Sequence, residues 1–492
     1  MERKNKSSLS ITLIIIVVCF FAFPDFCKAS DKAAKIDELM TLYHDAGLFN
    51  GALLVAEAGQ VIYRKGFGLA NMEWNIPNRV NTKFRIGSVT KQFTAMLILQ
   101  LVEQGEIQFE EKISDYFPEF RKDIGERVTI HHLLTHTSGI SNYASSADFV
   151  RKEIRNPCTV DEFIQKFCNG DPEFEPGARF SYNNGGYFIL GAIIEKVTGK
   201  KYEEVLKEKI FDPLGMKDTG YDYHHTVIQN RAAGYVKTLE GYRNAPYVDM
   251  SLPYAAGSIY STVEDLYLWD TALYTDKLLS NEMMEMFFKP HVSAMGQKYA
   301  YGWFIGEKRI PGTKDTSTVV SHSGGIFGFM AWVERWIDLK HTVILLNNTG
   351  GVMVDSMSSG IINVLYDKPF TLPKKSIAES LMKTILEKDV KEAIELYKNL
   401  KSKQKKDYIF IPRELNALGY YLLRSKNMVK EAIEIFKLNV EEYPKYANGY
   451  DSLAEAYMIN GDESLAITNY AKSLQLNPRN TNAIKKLSEL IK

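Results

Sequence analysis

Two strand-like stretches stand near the start of this chain, and the segments able to complete a sheet with them come only much later. GALLVAE (51–57) and QVIYRKGF (60–67) flank Ala58-Gly59 and read as a hairpin. A second strand-rich region, from about Tyr299 to Asn348, contains YAYGWFIG, GFMAWVERW and HTVILLNN. The long interval between them has helical periodicity. One stretch of it, Val89 to Glu103, is apolar nearly all round and ends at Gly105, which predicts a buried central helix. Strands at both ends with helices between them imply one sheet assembled from the two ends of an α+β domain.

After Asp367 the pattern changes. DKPFTLPKK (367–375) is polar, carries Pro369 and Pro373, and reads as a linker. Beyond it Tyr450, Leu453, Ala454, Tyr457, Gly461, Ala466, Tyr470 and Pro478 stand at tetratricopeptide spacing, with Pro444 and Pro478 one period apart. Leu418, Gly419, Ala432, Phe436 and Pro444 give a preceding unit with one extra residue, and Ala393, Ile394 and Tyr397 a weaker one. Such an array either offers a concave face to a protein or peptide partner or serves as a helical annex to the domain before it. At the other end, Arg3, Lys4 and Lys6 precede an apolar run from about Leu9 to Phe23, and Ala29 and Ser30 follow. That order is the pattern of a secretory signal. The expected organisation is a signal at 1–30, a first domain at 31–366, a linker at 367–375 and helical repeats at 376–492. The expected location is periplasmic or secreted, with an uncleaved membrane anchor as the alternative.

Lys plus Arg and Asp plus Glu both number 60, so no electrostatic footprint for nucleic acid is present. Outside the amino-terminal segment the cysteines are Cys158 and Cys168. Thr159 and Glu162 form a capping-box pattern that opens a helix between them. Ten helical residues hold the two backbones about 15 Å apart, beyond the roughly 7 Å that a disulfide tolerates, so no bridge is expected.

Chemistry concentrates in FRIGSVTKQFTA (84–95). Ser88 and Lys91 form S-x-x-K at the start of the buried helix, and residues three apart share a helix face. A serine needs a neighbouring base to become a nucleophile. An ordinary lysine, with its pKa near 10.4, is no base at neutral pH, but burial beside Phe84 and Phe93 would depress that pKa. S-x-x-K alone is common. In this chain it is joined by Tyr182-Asn183-Asn184 in FSYNNGGY and by His322-Ser323-Gly324-Gly325 in SHSGGIFG.

With these elements in this order, the chain resembles the class C β-lactamases, DD-peptidases and related esterases over about residues 35–365. LLTHTSGI (133–140), EPGARFSY (175–182) and DPLGMKDTG (212–220) add to the resemblance. It implies a β-lactamase/transpeptidase-like mixed antiparallel sheet with an inserted helical subdomain, followed in this chain by the all-α repeat region. It also implies a serine hydrolase in which Ser88 forms an acyl-enzyme and Lys91 and Tyr182 share the proton work, either of them as base. Asn184 would hold Lys91 or the substrate amide. The backbone N–H groups of Ser88 and Gly325 would form the oxyanion hole, Gly324 and Gly325 would let substrate lie against the strand, and Asn142 would reach the substrate. No cofactor is implied. His322 stands where the β-lactamases usually carry lysine, which points toward D-residue or peptidoglycan-like peptides and small esters as substrates ahead of β-lactams. The rival reading is a catalytically silent penicillin-binding sensor that presents the repeats. His132 and His136 have the i, i+4 spacing of zinc ligands, but Leu133 replaces the glutamate of that motif, so no metal is expected. His224-His225 reads as a surface loop.

Overall fold

The computed structural model describes residues 23–491, so the segment read as an export signal lies mostly outside the described residues. Among these, no helix is long and apolar enough to cross a membrane. Helix α1 (Phe23–Asp45) leads into the expected hairpin of β1 (Gly51–Glu57) and β2 (Gln60–Phe67). Ala58 and Gly59 at its turn both have positive φ, 50° and 75°, the conformation whose twist matches that of paired strands. Helix α2 (Thr90–Glu103) and helix α3 (Asn184–Thr198) belong to the helical interval. A small hairpin of β3 (Tyr235–Thr238) and β4 (Gly241–Asn244) follows. The second strand region supplies β5 (Val292–Ala294), β6 (Gln297–Tyr299), β7 (Phe304–Arg309), β8 (Thr316–Ile326), β9 (Phe329–Trp336) and β10 (His341–Asn347).

Among the described residues, eight strands form one sheet in the order β5-β6-β7-β8-β9-β10-β1-β2, antiparallel throughout. The first hairpin therefore adds to the last strand, as the two-ended pattern required. β1 pairs with β10 from Gly51 opposite Asn347 to Ala56 opposite Thr342. Its apolar run is explained by burial on both faces. Ala52, Leu54 and Ala56 point into the core shared with α2 and α3. Leu53 and Val55 point the other way, against Ile36 and Leu39 of α1 and Met357 and Ile361 of α4 (Val354–Leu365). Side chains alternate across a strand, so a strand between two helical layers reads as continuously hydrophobic. Buried asparagines pin the junction: the Asn50 backbone N–H donates to Asn347 Oδ1 at 2.9 Å, and Asn50 Nδ2 donates to Asn348 Oδ1 at 2.7 Å.

The central helix starts differently from the sequence expectation. A 3₁₀ turn, Gly87–Val89, precedes the α-helical residues, so Ser88 stands in that turn. The capping box of Thr159 and Glu162 is present, and the helix it opens passes at Ile164 into a π-helical turn that ends at Cys168. Cys158 and Cys168 are both free thiols.

From Ile377 onward, helices pack around a third hydrophobic cluster that includes Leu418, Ala432, Phe436, Leu453, Ala454, Tyr457, Ala466 and Tyr470. Gly419 lies so close to Phe436 that a Cβ there would be 2.4 Å from the ring. This helical region touches the β3–β4 hairpin through Glu379 on Lys237 at 2.8 Å and Lys426 on Glu240 at 2.7 Å.

The β1–β10 junction allows a direct test. A Cβ on Gly51 would fall 1.9 Å from the Leu346 carbonyl oxygen. Gly51→Ala is expected to lower stability by about 1–3 kcal/mol, the usual cost of overpacking. Thermal unfolding is the measurement, and an unchanged midpoint would contradict the pairing of Gly51 with Asn347.

Candidate active site

Glycines bring the Ser88 turn against β8. Gly87 has φ +52°, a conformation that side-chain-bearing residues rarely adopt, and a Cβ on it would lie 2.9 Å from the Gly325 nitrogen. A Cβ on Gly324 would lie 1.8 Å from the Ile86 carbonyl oxygen and 3.2 Å from the Ser88 nitrogen. The turn and the strand thus meet backbone to backbone, with the amides of Ser88 and Gly325 beside each other. The expectation that Gly324 makes room for substrate is corrected: its bare Cα faces Ile86, because the strand must touch the Ser88 turn there.

Lys91, one turn along, is fully buried. Its Nζ is 3.1 Å from Ser88 Oγ, 2.8 Å from Asn184 Oδ1 and 2.9 Å from the Ala256 carbonyl oxygen. Among the described residues, no carboxylate forms an ion pair with it. Each partner is fixed by its own element. The Thr94 hydroxyl donates to the Ala255 carbonyl at 2.6 Å, and the Ile259 N–H donates to Thr90 Oγ1 at 3.2 Å, clipping the 255–259 segment to α2. Asn183 caps α3 by accepting the Gly186 N–H at 3.0 Å, which sets Asn184 on the first turn of that helix. Burial without a counter-ion pushes the Lys91 pKa well below its ordinary value. A neutral amine has two N–H groups and one lone pair. Asn184 Oδ1 and the Ala256 carbonyl can only accept, so they take both N–H groups and the lone pair is left for the Ser88 hydroxyl.

The Tyr182 hydroxyl is shut away from water and outside hydrogen-bond geometry to the described residues. Burial pushes its pKa up, and the nearby Ser88 hydroxyl offsets part of the rise. Lys91 Nζ lies 4.9 Å from the centre of its ring, and the His136 ring packs against the same ring at 4.3 Å between centroids.

His322 is buried, only 2% exposed. Its Nδ1 is 2.6 Å from the Ser323 carbonyl oxygen, and its Nε2 is 3.4 Å from the Tyr299 hydroxyl. That hydroxyl is in turn 3.1 Å from His136 Nε2, and His136 Nδ1 accepts the Asn183 N–H at 3.0 Å. The ends of this chain fix its tautomers. A carbonyl accepts from His322 Nδ1–H, leaving Nε2 to accept from Tyr299. An amide donates to His136 Nδ1, leaving Nε2–H to donate to Tyr299. Burial first, and the neighbouring Lys91 second, hold the His322 pKa at about 3. His136 is likewise pushed well below its ordinary value.

Asn142 does not line the cavity at Ser88. Its Nδ2 donates to the Tyr182 carbonyl at 3.2 Å, and its Oδ1 accepts the Ala144 N–H at 3.3 Å, so it holds the Tyr182 backbone. His132 and His136 are not a ligand pair either. His132 Nδ1 accepts the Thr129 N–H in a capping box, and the helix has ended at Leu134 before His136. His224 and His225 are exposed, as expected. Ala256, Tyr299 and the His136 link carry no signature in the sequence. LLTHTSGI contains one of them, but the pairing with Tyr299 spans distant segments.

Two cavities have residues of this centre in their walls. One, about 660 Å³, has Ser88 and Asn184 in its wall together with Tyr143, Phe149, Leu252, Phe327 and Met330. The other, about 560 Å³, has Tyr182 in its wall together with Asn142, Glu173, Arg179, Ser181 and Ser293.

The tautomer chain is open to measurement. With ¹⁵N-labelled imidazoles, His322 is expected to remain the neutral Nδ1–H form from pH 8 down to about pH 4, since its pKa is held at about 3. Titration near the ordinary histidine value would refute the arrangement.

Comparison with known proteins agrees with the fold and the motif order. Residues 33–358 match the Beta-lactamase family. A penicillin-binding protein of Bacillus subtilis (strain 168) is 31% identical over 369 residues, covering 70% of this chain and 79% of that protein. The teichoic acid D-alanine hydrolase of Staphylococcus aureus is 30% identical over 325 residues, covering 65% and 74%. Among solved structures, the octameric penicillin-binding protein homologue from Pyrococcus abyssi is similar with a TM-score of 0.59 and 29% identity, covering 68% of this chain and 77% of that one. On its sequence, its sheet and the S-x-x-K turn packed against β8, this chain belongs to the Beta-lactamase family.

Proposed function

We propose that this protein is a serine hydrolase that cleaves an ester or amide through an acyl-enzyme on Ser88. The observation that carries the reading is the buried Lys91 amine, anchored by two acceptors and 3.1 Å from Ser88 Oγ. Its depressed pKa and the raised pKa of Tyr182 favour Lys91 as base and Tyr182 as acid. Lys91 takes the Ser88 proton as Oγ bonds to the substrate carbonyl carbon. The oxyanion is held by the N–H groups of Ser88 and Gly325, where donors fixed in advance lower the barrier most. On collapse the bond to the leaving group breaks, Tyr182 gives that group its proton, and Lys91 returns a proton to Tyr182. Water then attacks the acyl carbon with the same pair in reversed roles. His322 positions Tyr299 and the end of β8; with its N–H committed to Ser323, it offers the substrate neither a charge nor a donor. The substrate class spans small esters, D-alanyl and other D-residue linkages and peptidoglycan-like peptides. A D-alanine hydrolase among the relatives supports this range.

We also propose export through the amino-terminal 1–30 segment, supported by its charged start, apolar run and small-residue exit. For residues 376–492 we propose a tetratricopeptide-like unit that either binds a protein or peptide or buttresses the β3–β4 hairpin. The spacing and the burial of its repeat positions support this.

Ser88→Ala is expected to abolish ester turnover and labelling by an organophosphonate, with the fold retained. Full turnover in that variant would remove Ser88 from the mechanism.

Acylation should rise with pH as Lys91 loses its proton, along a limb well below the usual lysine value. Lys91→Arg should lose about 10²–10⁴-fold at every pH, because guanidinium keeps its proton. The measurement is kcat/KM for a p-nitrophenyl ester from pH 5 to 10. A rate independent of pH, or an active arginine variant, would exclude Lys91 as base.

A further inference from the structure

The two cavities differ in chemistry. Among the described residues, the cavity at Ser88 has no Lys, Arg, His, Asp or Glu in its wall. At about 660 Å³ it is the size of a small-molecule site. Its walls come from separate parts of the fold: Tyr143 and Phe149 from the helical subdomain, Val248 and Leu252 from the segment before Ala256, Phe327 from the β8–β9 turn and Met330 from the start of β9. His322 adds no charge, being buried with its N–H given to Ser323. A carboxylate entering this cavity would give up water without gaining a cationic partner, which is unfavourable. The second cavity is polar and has Tyr182 in its wall, with the hydroxyl itself shut away from solvent. Arg179 and Glu173 face it with Ser181 and Ser293, and the two charges lie 4.0 Å apart and half exposed, so it has no net sign.

We propose that the substrate is an amphiphile whose bulky apolar acyl group fills the cavity beside Ser88 and whose leaving group lies outside that cavity, toward Tyr182. This deepens the proposed function and rests on Ser88 as nucleophile and Tyr182 as acid. The direction follows from proton transfer. The group that leaves must take its proton from Tyr182, and Tyr182 is not among the residues that wall the cavity beside Ser88, so that cavity is left to the other arm. The acyl carbon bonded to Ser88 carries the remaining arm, which has the apolar cavity open to it. In acylation the Ser88 O–H proton passes to Lys91 and the Oγ–C bond forms. The C–O bond to the leaving alcohol then breaks, its oxygen takes the Tyr182 proton, and Lys91 reprotonates Tyr182. Water later releases the fatty or aryl acid and restores Ser88.

Two isomers separate the arms: 1-octanoylglycerol has an apolar acyl group and a polar leaving group, and octyl glycerate has the reverse. The full chain is expected to hydrolyse octanoylglycerol with a kcat/KM at least about tenfold higher, a modest discrimination for an apolar pocket. Across p-nitrophenyl acetate, butyrate and octanoate, kcat/KM should climb by about tenfold or more. Val150→Trp, which adds bulk at the partly exposed rim of the cavity, should lower the octanoate-to-acetate ratio by at least about fivefold. Ser88-dependent turnover with a flat chain-length series, or a preference for octyl glycerate, would overturn this substrate assignment and leave the nucleophile intact. Failure of every ester and amide to react through Ser88, with no organophosphonate label, would overturn the proposed function and this inference with it.

Discussion

Among the described residues, Lys91 has no counter-ion. An amine sealed from water with only neutral partners is unfavourable as a cation, and the surrounding structure is arranged so that the neutral form is fully satisfied. This explains why α2 is buried around nearly its whole circumference. It explains why Thr90 and Thr94 clip the Ala255–Ile259 segment to that helix, and why Asn183 caps α3 so that Asn184 presents an oxygen. Two acceptors consume the amine's protons and leave its lone pair to the serine. The stabilisation lost by burying a lysine is thus converted into basicity at neutral pH, at the one point where basicity is needed.

The same dryness shapes the rest of the centre. Had His322 been charged, it would have pushed the Lys91 pKa further down and left a second cation without a partner. The chain from Asn183 through His136, Tyr299 and His322 to Ser323 keeps both imidazoles neutral with each ring nitrogen used. A polar network in a dry interior rigidifies only when every member is satisfied. This one ties the start of α3, the end of β6 and the end of β8 together around the Tyr182 ring.

Much of this is legible in the sequence, for identifiable reasons. The alternation and turn residues of 51–67 mark the hairpin, and the unbroken apolar run of HTVILLNN marks its partner. Ser88, Lys91, Tyr182 and Asn184 stand in motifs whose chemistry is local. What stays hidden depends on segments far apart along the chain. Gly324 reads as room for substrate because nothing in SHSGGIFG indicates that its neighbour is Ile86. The hold of Asn142 on the Tyr182 carbonyl has no sequence signature because the two loops are far apart along the chain. His136 has the spacing of a zinc ligand because its true partner, Tyr299, is remote in sequence. The apolar cavity has no signature at all, since its walls come from loops and strand ends that share no period.

The closure of the sheet from both ends has a consequence during synthesis. β1 is apolar on both faces and pairs with β10, yet the ribosome delivers it hundreds of residues earlier. At about 5–20 residues per second, the β1–β2 hairpin waits roughly 15–60 s for HTVILLN to emerge. During that time GALLVA has one strand edge unpaired, the kind of template that recruits neighbouring chains. For this topology the hazard is one of timing: the apolar strand is made first and covered last.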